Sequence, residues 1–351
     1  MKQHIFIASL ILAFGVKPNW SKGASWTAEE QEIIFQKIKY IIHRQTEVKK
    51  QYQHLHDGYE LAGSDAEFGM SLKRLLRIGF HDCLTYNDTS EVGGCDGCLN
   101  PTGMNARKPG KGSFAGENVH ATDNNGLTHT ADILQEVFIN PDFPRGSPSL
   151  VTSMEEKGMS RADLWAFASL VAVARGVSNN NEACMENSCG HMRKNETDCK
   201  IEWPRIPMFK TGRSDCVASA DAEKPWHTSK AENQPNPHGN GPTTVDFMKE
   251  HFGMDAIESI ALILGAHSIA QFKFAVSSFR YEWTRNQRFL FNNQMVRHVA
   301  MKDQYFTGCK DGQMIWTGDS EGNPGKTSWM AVGSRGTKNG GPFHWFHVYN
   351  M

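Results

Sequence analysis

The sequence lacks an excess of charge of either sign. Its 37 Lys and Arg residues against 38 Asp and Glu residues give a formal net charge of −1 at pH 7. Proteins that bind nucleic acid or anionic membranes through electrostatics usually carry a basic excess, so the composition indicates neither partner. The chain also lacks internal repeats, and beyond its first residues it lacks any apolar run long enough to span a bilayer.

Strand signals are sparse, whereas segments with helical periodicity recur along the chain. Residues 27–30 (TAEE) have the pattern of a capping box and precede isoleucines at helical spacing, and residues 255–258 (DAIE) repeat the pattern. The segment LWAFASLVAVA is apolar on nearly all sides, as in a buried helix. We therefore predict an all-α fold of one large domain or of two lobes sharing a core. Further helices are predicted over residues 72–80, after Gly126, over TTVDFMKEHF up to Gly253, and over about 285–303.

The first residues have the composition of a secretory signal. Lys2 precedes an apolar run over residues 5–16, which is too short to span a bilayer as a helix. We predict a signal peptide over residues 1–24 and a secreted protein, with an uncleaved signal-anchor as the alternative. Eight cysteines after such a signal favour disulfides, and sequons at Asn87 and Asn195 suit a glycoprotein.

Residues 179–242 form a long polar stretch interrupted by proline and glycine. A loop region of this length is unusual in a compact domain unless it is functional or crosslinked. We therefore predict loops that are pinned by disulfides. The stretch contains four cysteines, Cys184, Cys189, Cys199 and Cys216.

Two histidines, His81 and His267, are candidates for catalysis or metal binding. Arg77 and His81 are four residues apart in a predicted helix and so project from one face, pairing a permanent charge with an imidazole that titrates near neutral pH. Taken alone, this pair is more often a solvated surface pair than a catalytic one. His267 ends the apolar run ALILGAH, where a lone histidine is more often a hydrogen-bonded core residue than a metal ligand. Together, the two elements suggest a pocket in which one histidine binds a metal through a ring nitrogen.

Several segments resemble the secreted plant- and fungal-type haem peroxidases. RIGFHDC resembles the distal-helix signature of that family and LILGAHSIA resembles its proximal-histidine signature, in the same order and at a matching separation. TDNNGL, SRADLWAFASLVAVA and FKTGRSD are similar to further family segments, so that the resemblance covers roughly residues 27–300. It implies a two-lobed haem peroxidase fold over residues 25–351, with a distal lobe over about 25–175 and a proximal lobe over about 240–351. The proximal lobe is either C-terminally incomplete or remodelled.

The resemblance also implies a set of site residues. Haem b would be held between the lobes by His267 as the iron ligand, with Phe80 packing over it. His81 would act as general base and then general acid on hydrogen peroxide, while Arg77 stabilises the developing negative charge. Asn124 would accept a hydrogen bond from the other ring nitrogen of His81. The second substrate would be a small reducing molecule that gives up electrons singly. Neither its identity nor the oligomeric state follows from the sequence.

A calcium site is implied by the same resemblance. Asp82, Gly94 and Asp96 match the distal calcium loop of the secreted enzymes, and Ser268 matches the first ligand of their proximal calcium site. Carboxylates and carbonyls are the hard oxygen ligands that calcium takes.

The cysteines beside the calcium loop carry two further expectations. The resemblance implies a Cys83–Cys95 disulfide. Cys98 falls where the family has a hydroxyl, and sulfur is a poor calcium ligand. Reading CDGC as half of a zinc site is the weaker alternative, because no second pair has suitable spacing. The remaining cysteines admit 15 pairings, which the sequence leaves open.

One departure concerns the proximal side. The family places an Asp after the proximal histidine to accept its Nδ1–H, and no segment here has the expected pattern; Asp319 is the nearest candidate. This departure motivates an alternative function, a secreted structural or adhesive protein that keeps the scaffold without turnover. A cysteine-rich or zinc-binding module is the third possibility.

Overall fold

The computed structural model describes residues 23–56, 71–86, 93–100, 124, 127–185, 200–202, 209–228, 241–269 and 289–291. These residues form seven α-helices and no named strand, which confirms the predicted all-α class for the described part of the chain. None of those helices combines the length and apolarity needed to cross a bilayer. In chain order the helices are α1 (Ala28–His43), α2 (Gln45–Leu55), α3 (Leu72–Cys83), α4 (Thr128–Ile139), α5 (Arg161–Met185), α6 (Gly241–Phe252) and α7 (Ala256–Ser268).

Helix α5 is the centre of the described fold. Its first four turns are almost entirely buried, as the apolar sequence predicts. Helices α1, α3 and α4 all pack on it, and α3 makes the most extensive contact. Helix α7 packs instead on α6. Both predicted capping boxes are present, at Thr27 and Glu30 before α1 and at Asp255 and Glu258 before α7.

Three features differ from the sequence prediction. Helix α5 continues to Met185, into a stretch predicted to be loop from Asn179. Helix α2 was not predicted as a separate element; a break at Arg44 divides the first helical region. Residues 289–291 lie within the helix predicted over about 285–303 but are not helical, because the Phe291 N–H donates to the Gly176 carbonyl at 2.9 Å.

A buried ion pair attaches residues 209–228 to the start of α5. Asp163 is fully buried and Arg213 is almost so, with 2.8 Å between Arg213 Nη1 and Asp163 Oδ1. The same carboxylate accepts the backbone N–H groups of Gly212 at 2.7 Å and of Arg213 at 3.3 Å. These three donors all come from one turn, which Asp163 holds in place.

Helix α3 packs closely on α5 at Gly79. A Cβ atom added at Gly79 would lie 2.5 Å from Ser169 Oγ and 2.8 Å from Ser169 Cβ. We expect Gly79→Ala to lower the free energy of unfolding by about 1–3 kcal/mol through overpacking, measured by urea denaturation. Adding Ser169→Ala removes the nearest atom and should recover part of the loss. Strict additivity in this double-mutant cycle would contradict the close contact.

Candidate functional site

Part of the surface of α3 is open to solvent at its C-terminal half. Arg77, Phe80 and His81 keep partial exposure, whereas Ile78 and Gly79 between them are buried. Positions i, i+3 and i+4 share one side of a helix, so the guanidinium, the aromatic ring and the imidazole lie together on this face. This arrangement agrees with the grouping expected from RIGFHDC.

Hydrogen bonds define the tautomer of His81. The amide nitrogen of Asn124 donates to the Asn100 carbonyl at 2.8 Å, which turns the amide oxygen toward His81. That oxygen lies 2.7 Å from His81 Nδ1 and accepts its N–H. The lone pair therefore resides on Nε2, which lies 3.4 Å from Arg77 Nε. Asn100 was not identified from the sequence, since it acts through a backbone carbonyl that carries no sequence signal.

The environment of His81 favours its neutral form. Burial, together with the charge of Arg77, lowers the pKa of His81 to about 3, although the hydrogen bond to Asn124 acts in the opposite direction. The imidazole is consequently an unprotonated base at any pH well above that value. A neutral Nε2 beside a fixed positive charge can accept a proton while the guanidinium stabilises negative charge on the same molecule.

Helix α7 presents His267 in a similar way. Ile263, Ala266 and His267 are partly exposed along one face, while Gly265 and Ser268 are buried. His267 Nδ1 lies 2.6 Å from the Ile263 carbonyl oxygen, so the Nδ1–H donates there and Nε2 carries the lone pair. Burial lowers the pKa of His267 to about 4, which keeps the ring neutral and suited to metal binding. Asp319, the candidate proximal carboxylate, lies outside the described residues.

Helix α5 contacts both histidine segments. Gly79, two residues before His81, lies against Ser169 of α5. Ile269, two residues after His267, lies against Gly176 of the same helix, where an added Cβ would be 2.6 Å from Ile269 Cδ1. Seven residues of helix correspond to about 10 Å. The two contacts are therefore about two helical turns apart along α5.

The residues on both open faces fit a haem. Each face combines one neutral imidazole with apolar neighbours, Phe80 on α3 and Ile263 and Ala266 on α7, and these three side chains also pack against the hydrophobic core. A largely apolar macrocycle with a metal at its centre needs this combination of apolar contact and a nitrogen ligand.

The last turn of α3 contains an uncompensated carboxylate. Asp82 is fully buried, and its Oδ1 accepts the N–H groups of Asp96 at 3.2 Å and Cys98 at 3.1 Å. Its Oδ2 is buried and has no hydrogen-bond partner among the residues that the structure describes. Burial and the neighbouring charge of Asp96 raise the pKa of Asp82 well above its ordinary value. An orphaned buried carboxylate oxygen suits a cation ligand.

The other predicted calcium ligands have defined surroundings. The Gly94 carbonyl accepts a hydrogen bond from the Thr85 hydroxyl at 3.1 Å. Ser268 is buried and its hydroxyl donates to the Gly265 carbonyl at 2.6 Å. Ser268 thus caps its own helix.

The disulfides resolve two questions about the cysteines. Cys83 and Cys95 are bridged, as the resemblance implied. Cys98 is bridged to Cys216, a pairing that the sequence left open. Both cysteines of CDGC are therefore in disulfides, and neither is available as a zinc ligand in this oxidised state.

Comparison with known proteins agrees with this arrangement. A family model described as peroxidase matches residues 53–322, which is more than half of the chain and includes both histidine segments. A search of curated proteins finds no significant match. The all-α fold and the match over this length lead to one conclusion: the chain belongs to the peroxidase family.

Proposed function

We propose that this protein is a secreted haem peroxidase of the plant and fungal type, which reduces hydrogen peroxide and oxidises a small reducing substrate in one-electron steps. The observation that carries the proposal is the set of contacts around His81, whose Nε2 is held as a neutral base beside Arg77 while Nδ1 donates to Asn124. His267 would hold haem b through Nε2, and Phe80 would pack over it. When bound, the haem would supply the two electrons that reduce the peroxide and would recover them singly from the reducing substrate.

The protein's own residues would move one proton. His81 Nε2 accepts a proton from one oxygen of hydrogen peroxide and then delivers it to the other, which leaves as water. Arg77 stabilises the negative charge that develops on the leaving oxygen as the O–O bond breaks. Asn124 keeps the proton of the neutral ring on Nδ1, so that Nε2 remains the base.

Haem titration followed by an activity assay tests the proposal. We expect the purified full-length chain to bind one equivalent of haem with a Soret band, and the complex to oxidise a phenol such as guaiacol when peroxide is added. A His267→Ala variant should lose the axial nitrogen ligand and alter the band. Absence of haem binding in the natural chain would exclude the proposal.

A catalytically impaired, structural or adhesive protein is the second candidate. The observation in its favour is the contact of His267 Nδ1 with the neutral Ile263 carbonyl, because a carbonyl makes the imidazole less basic than a carboxylate would. Haem binding without peroxide turnover would support this candidate. Substituting Asp319→Asn and measuring the iron–histidine stretching frequency would show whether that carboxylate contributes.

A carboxylate in place of the Asn124 amide should move the pH profile. Asn124→Asp puts a negative charge beside His81 Nδ1, and we expect it to raise the pKa of His81 by about one to three pH units. Because only neutral His81 can accept the proton, the acid limb of the peroxide reaction should move to higher pH by the same amount. The measurement is the second-order rate constant with peroxide between pH 3 and 8.

Asn124→Ala is the matched control for this experiment. It removes the hydrogen bond without adding charge, so it should lower the rate at every pH and leave the acid limb at or below its original position. An unmoved limb in Asn124→Asp would contradict the role of His81 as the base.

We also propose a calcium ion at Asp82, Gly94 and Asp96, supported by the orphaned Asp82 oxygen. Calcium at about 100 times its Kd should raise the free energy of unfolding by about 2.7 kcal/mol. Asp82→Asn should remove that response, since it removes the charge while keeping the shape. Asp246→Asn, at an exposed position on α6, should retain it. Differential scanning calorimetry with calcium or with a chelator makes the comparison, and equal responses in the two variants would contradict the site.

Secretion remains a prediction for residues 1–24, and it is supported by the two disulfides in the described chain. N-terminal sequencing of the protein expressed in a eukaryotic secretory host tests it. Recovery from the medium with a cleaved N-terminus is the expected result.

A further inference from the structure

Two carboxylates and a disulfide meet where the loop after α3 contacts residues 209–228. A carboxylate oxygen of Asp96 and the sulfur atoms of Cys98 and Cys216 all lie within 4.8 Å of one another. Asp82 is fully buried, and its Oδ1 accepts the backbone N–H groups of both Asp96 and Cys98. Its Oδ2 is buried, and no group in the described part of the chain forms a hydrogen bond with it. This corner therefore places one carboxylate and two sulfur atoms within 4.8 Å of one another, with the buried Asp82 hydrogen-bonded to the backbone of the same loop.

The disulfide determines which of these atoms can bind a metal. While Cys98 and Cys216 are bridged, neither sulfur is a thiolate, so that only the oxygens suit a cation and the preference is for a hard one. Breaking the bridge would create two thiolates beside a carboxylate. That donor set suits zinc, which takes cysteine sulfur and carboxylate oxygen in tetrahedral sites.

We propose that reduction of the Cys98–Cys216 disulfide converts this corner into a zinc site. A dithiol reductant supplies two electrons and two protons, the S–S bond breaks, two thiols form, and the reductant becomes a disulfide. Zn²⁺ then binds both sulfurs and displaces their two protons to solvent. Asp96 supplies a carboxylate oxygen, and a solvent molecule completes the tetrahedral coordination. Cys216 is partly exposed, which gives a reductant access to the bridge.

Other contacts would keep the two segments together after the bridge breaks. The Cys216 N–H donates to the Asp96 carbonyl at 2.7 Å. The neighbouring Asp215 accepts the Ala162 N–H at 2.9 Å and lies within 3.6 Å of Arg161. Because these hydrogen bonds and this ion pair do not involve sulfur, the zinc ligands should stay close together after the disulfide is reduced. The proposal does not require peroxidase activity.

Cobalt spectroscopy tests the proposal on the full-length chain. The protein is reduced with dithiothreitol, desalted under anaerobic conditions and titrated with Co²⁺. We expect one equivalent to produce a thiolate-to-cobalt charge-transfer band with the intense visible bands of a tetrahedral site, and added Zn²⁺ to abolish both. Cys98→Ser/Cys216→Ser should lose these bands, whereas the matched Cys83→Ser/Cys95→Ser variant should keep them. Missing bands in the reduced natural chain, or unchanged bands in Cys98→Ser/Cys216→Ser, would overturn the proposal.

A second variant distinguishes zinc binding at a folded site from zinc binding by the thiols of an unfolded chain. Asp96→Asn keeps every thiol but removes the carboxylate charge. We expect its zinc affinity to fall by at least about 10-fold in competition with a chromophoric chelator, while far-UV circular dichroism stays helical. An affinity equal to that of the natural chain would mean that the thiols bind zinc without the site, and would overturn the proposal.

Discussion

His81→Leu should slow the reaction of the haem-loaded protein with hydrogen peroxide by about 10²–10⁴-fold, the contribution typical of a positioned acid–base residue. The leucine cannot accept the peroxide proton, and Arg77 alone cannot move it. The Soret band and the haem stoichiometry should stay close to those of the natural protein, since His267 is unchanged. Stopped-flow measurement of the second-order rate constant makes the comparison.

His129→Leu is the matched control. His129 is also a partly exposed histidine on a helix, α4, and burial likewise lowers its pKa, but it has no place in the proposed chemistry. We expect its rate constant to stay within about twofold of the natural value. An undiminished rate in His81→Leu would remove His81 from its proposed role, whatever the haem binding of that variant.

Asp163→Ala should lower the free energy of unfolding by about 3–5 kcal/mol, the cost of leaving one member of a buried ion pair without its counter-charge. The loss is expected to be large because the carboxylate accepts from the Arg213 guanidinium and from two backbone N–H groups, with both side chains buried. Urea denaturation followed by circular dichroism gives the free energy.

An exposed ion pair provides the comparison for Asp163. Arg175 and Glu182 lie 3.0 Å apart, but the Glu182 side chain is 60% exposed, so Glu182→Ala should cost less than about 1 kcal/mol. Adding Arg213→Met to Asp163→Ala removes the stranded charge and should recover part of the stability. If Asp163→Ala costs no more than Glu182→Ala, the buried pair does not stabilise the turn.

The features that the sequence predicted well depend on short-range patterns. The capping boxes at Thr27 and Asp255 need only residues three positions apart, and the apolar character of α5 is visible in its own segment. Arg77 and His81 share a helical face because of the helical period alone. Features of this kind depend only on residues that are close in sequence, so they can be predicted without knowing the fold.

The features that sequence reasoning missed depend on distant contacts. Helix α5 extends past Asn179 because the fold supports its last turns, including the hydrogen bond of Asn181 to residue 201. The Cys98–Cys216 pairing joins residues that are 118 positions apart. Asn100 orients Asn124 through a carbonyl group, which every residue possesses. Periodicity and spacing contain no signal for such contacts.

Because both histidine segments contact α5, an insertion in this helix would change their relative position. The segments of His81 and His267 contact α5 at Ser169 and Gly176, which are two turns apart on this buried helix. One residue inserted there would rotate Gly176 by about 100° around the helix axis and advance it by about 1.5 Å. Ile269 and the nearby His267 would then be displaced relative to the segment of His81. Insertions in the loop over residues 140–153 leave this count unchanged. The spacing of the two contacts along α5 is therefore fixed by a number of residues, and a change in that number would shift one histidine segment relative to the other.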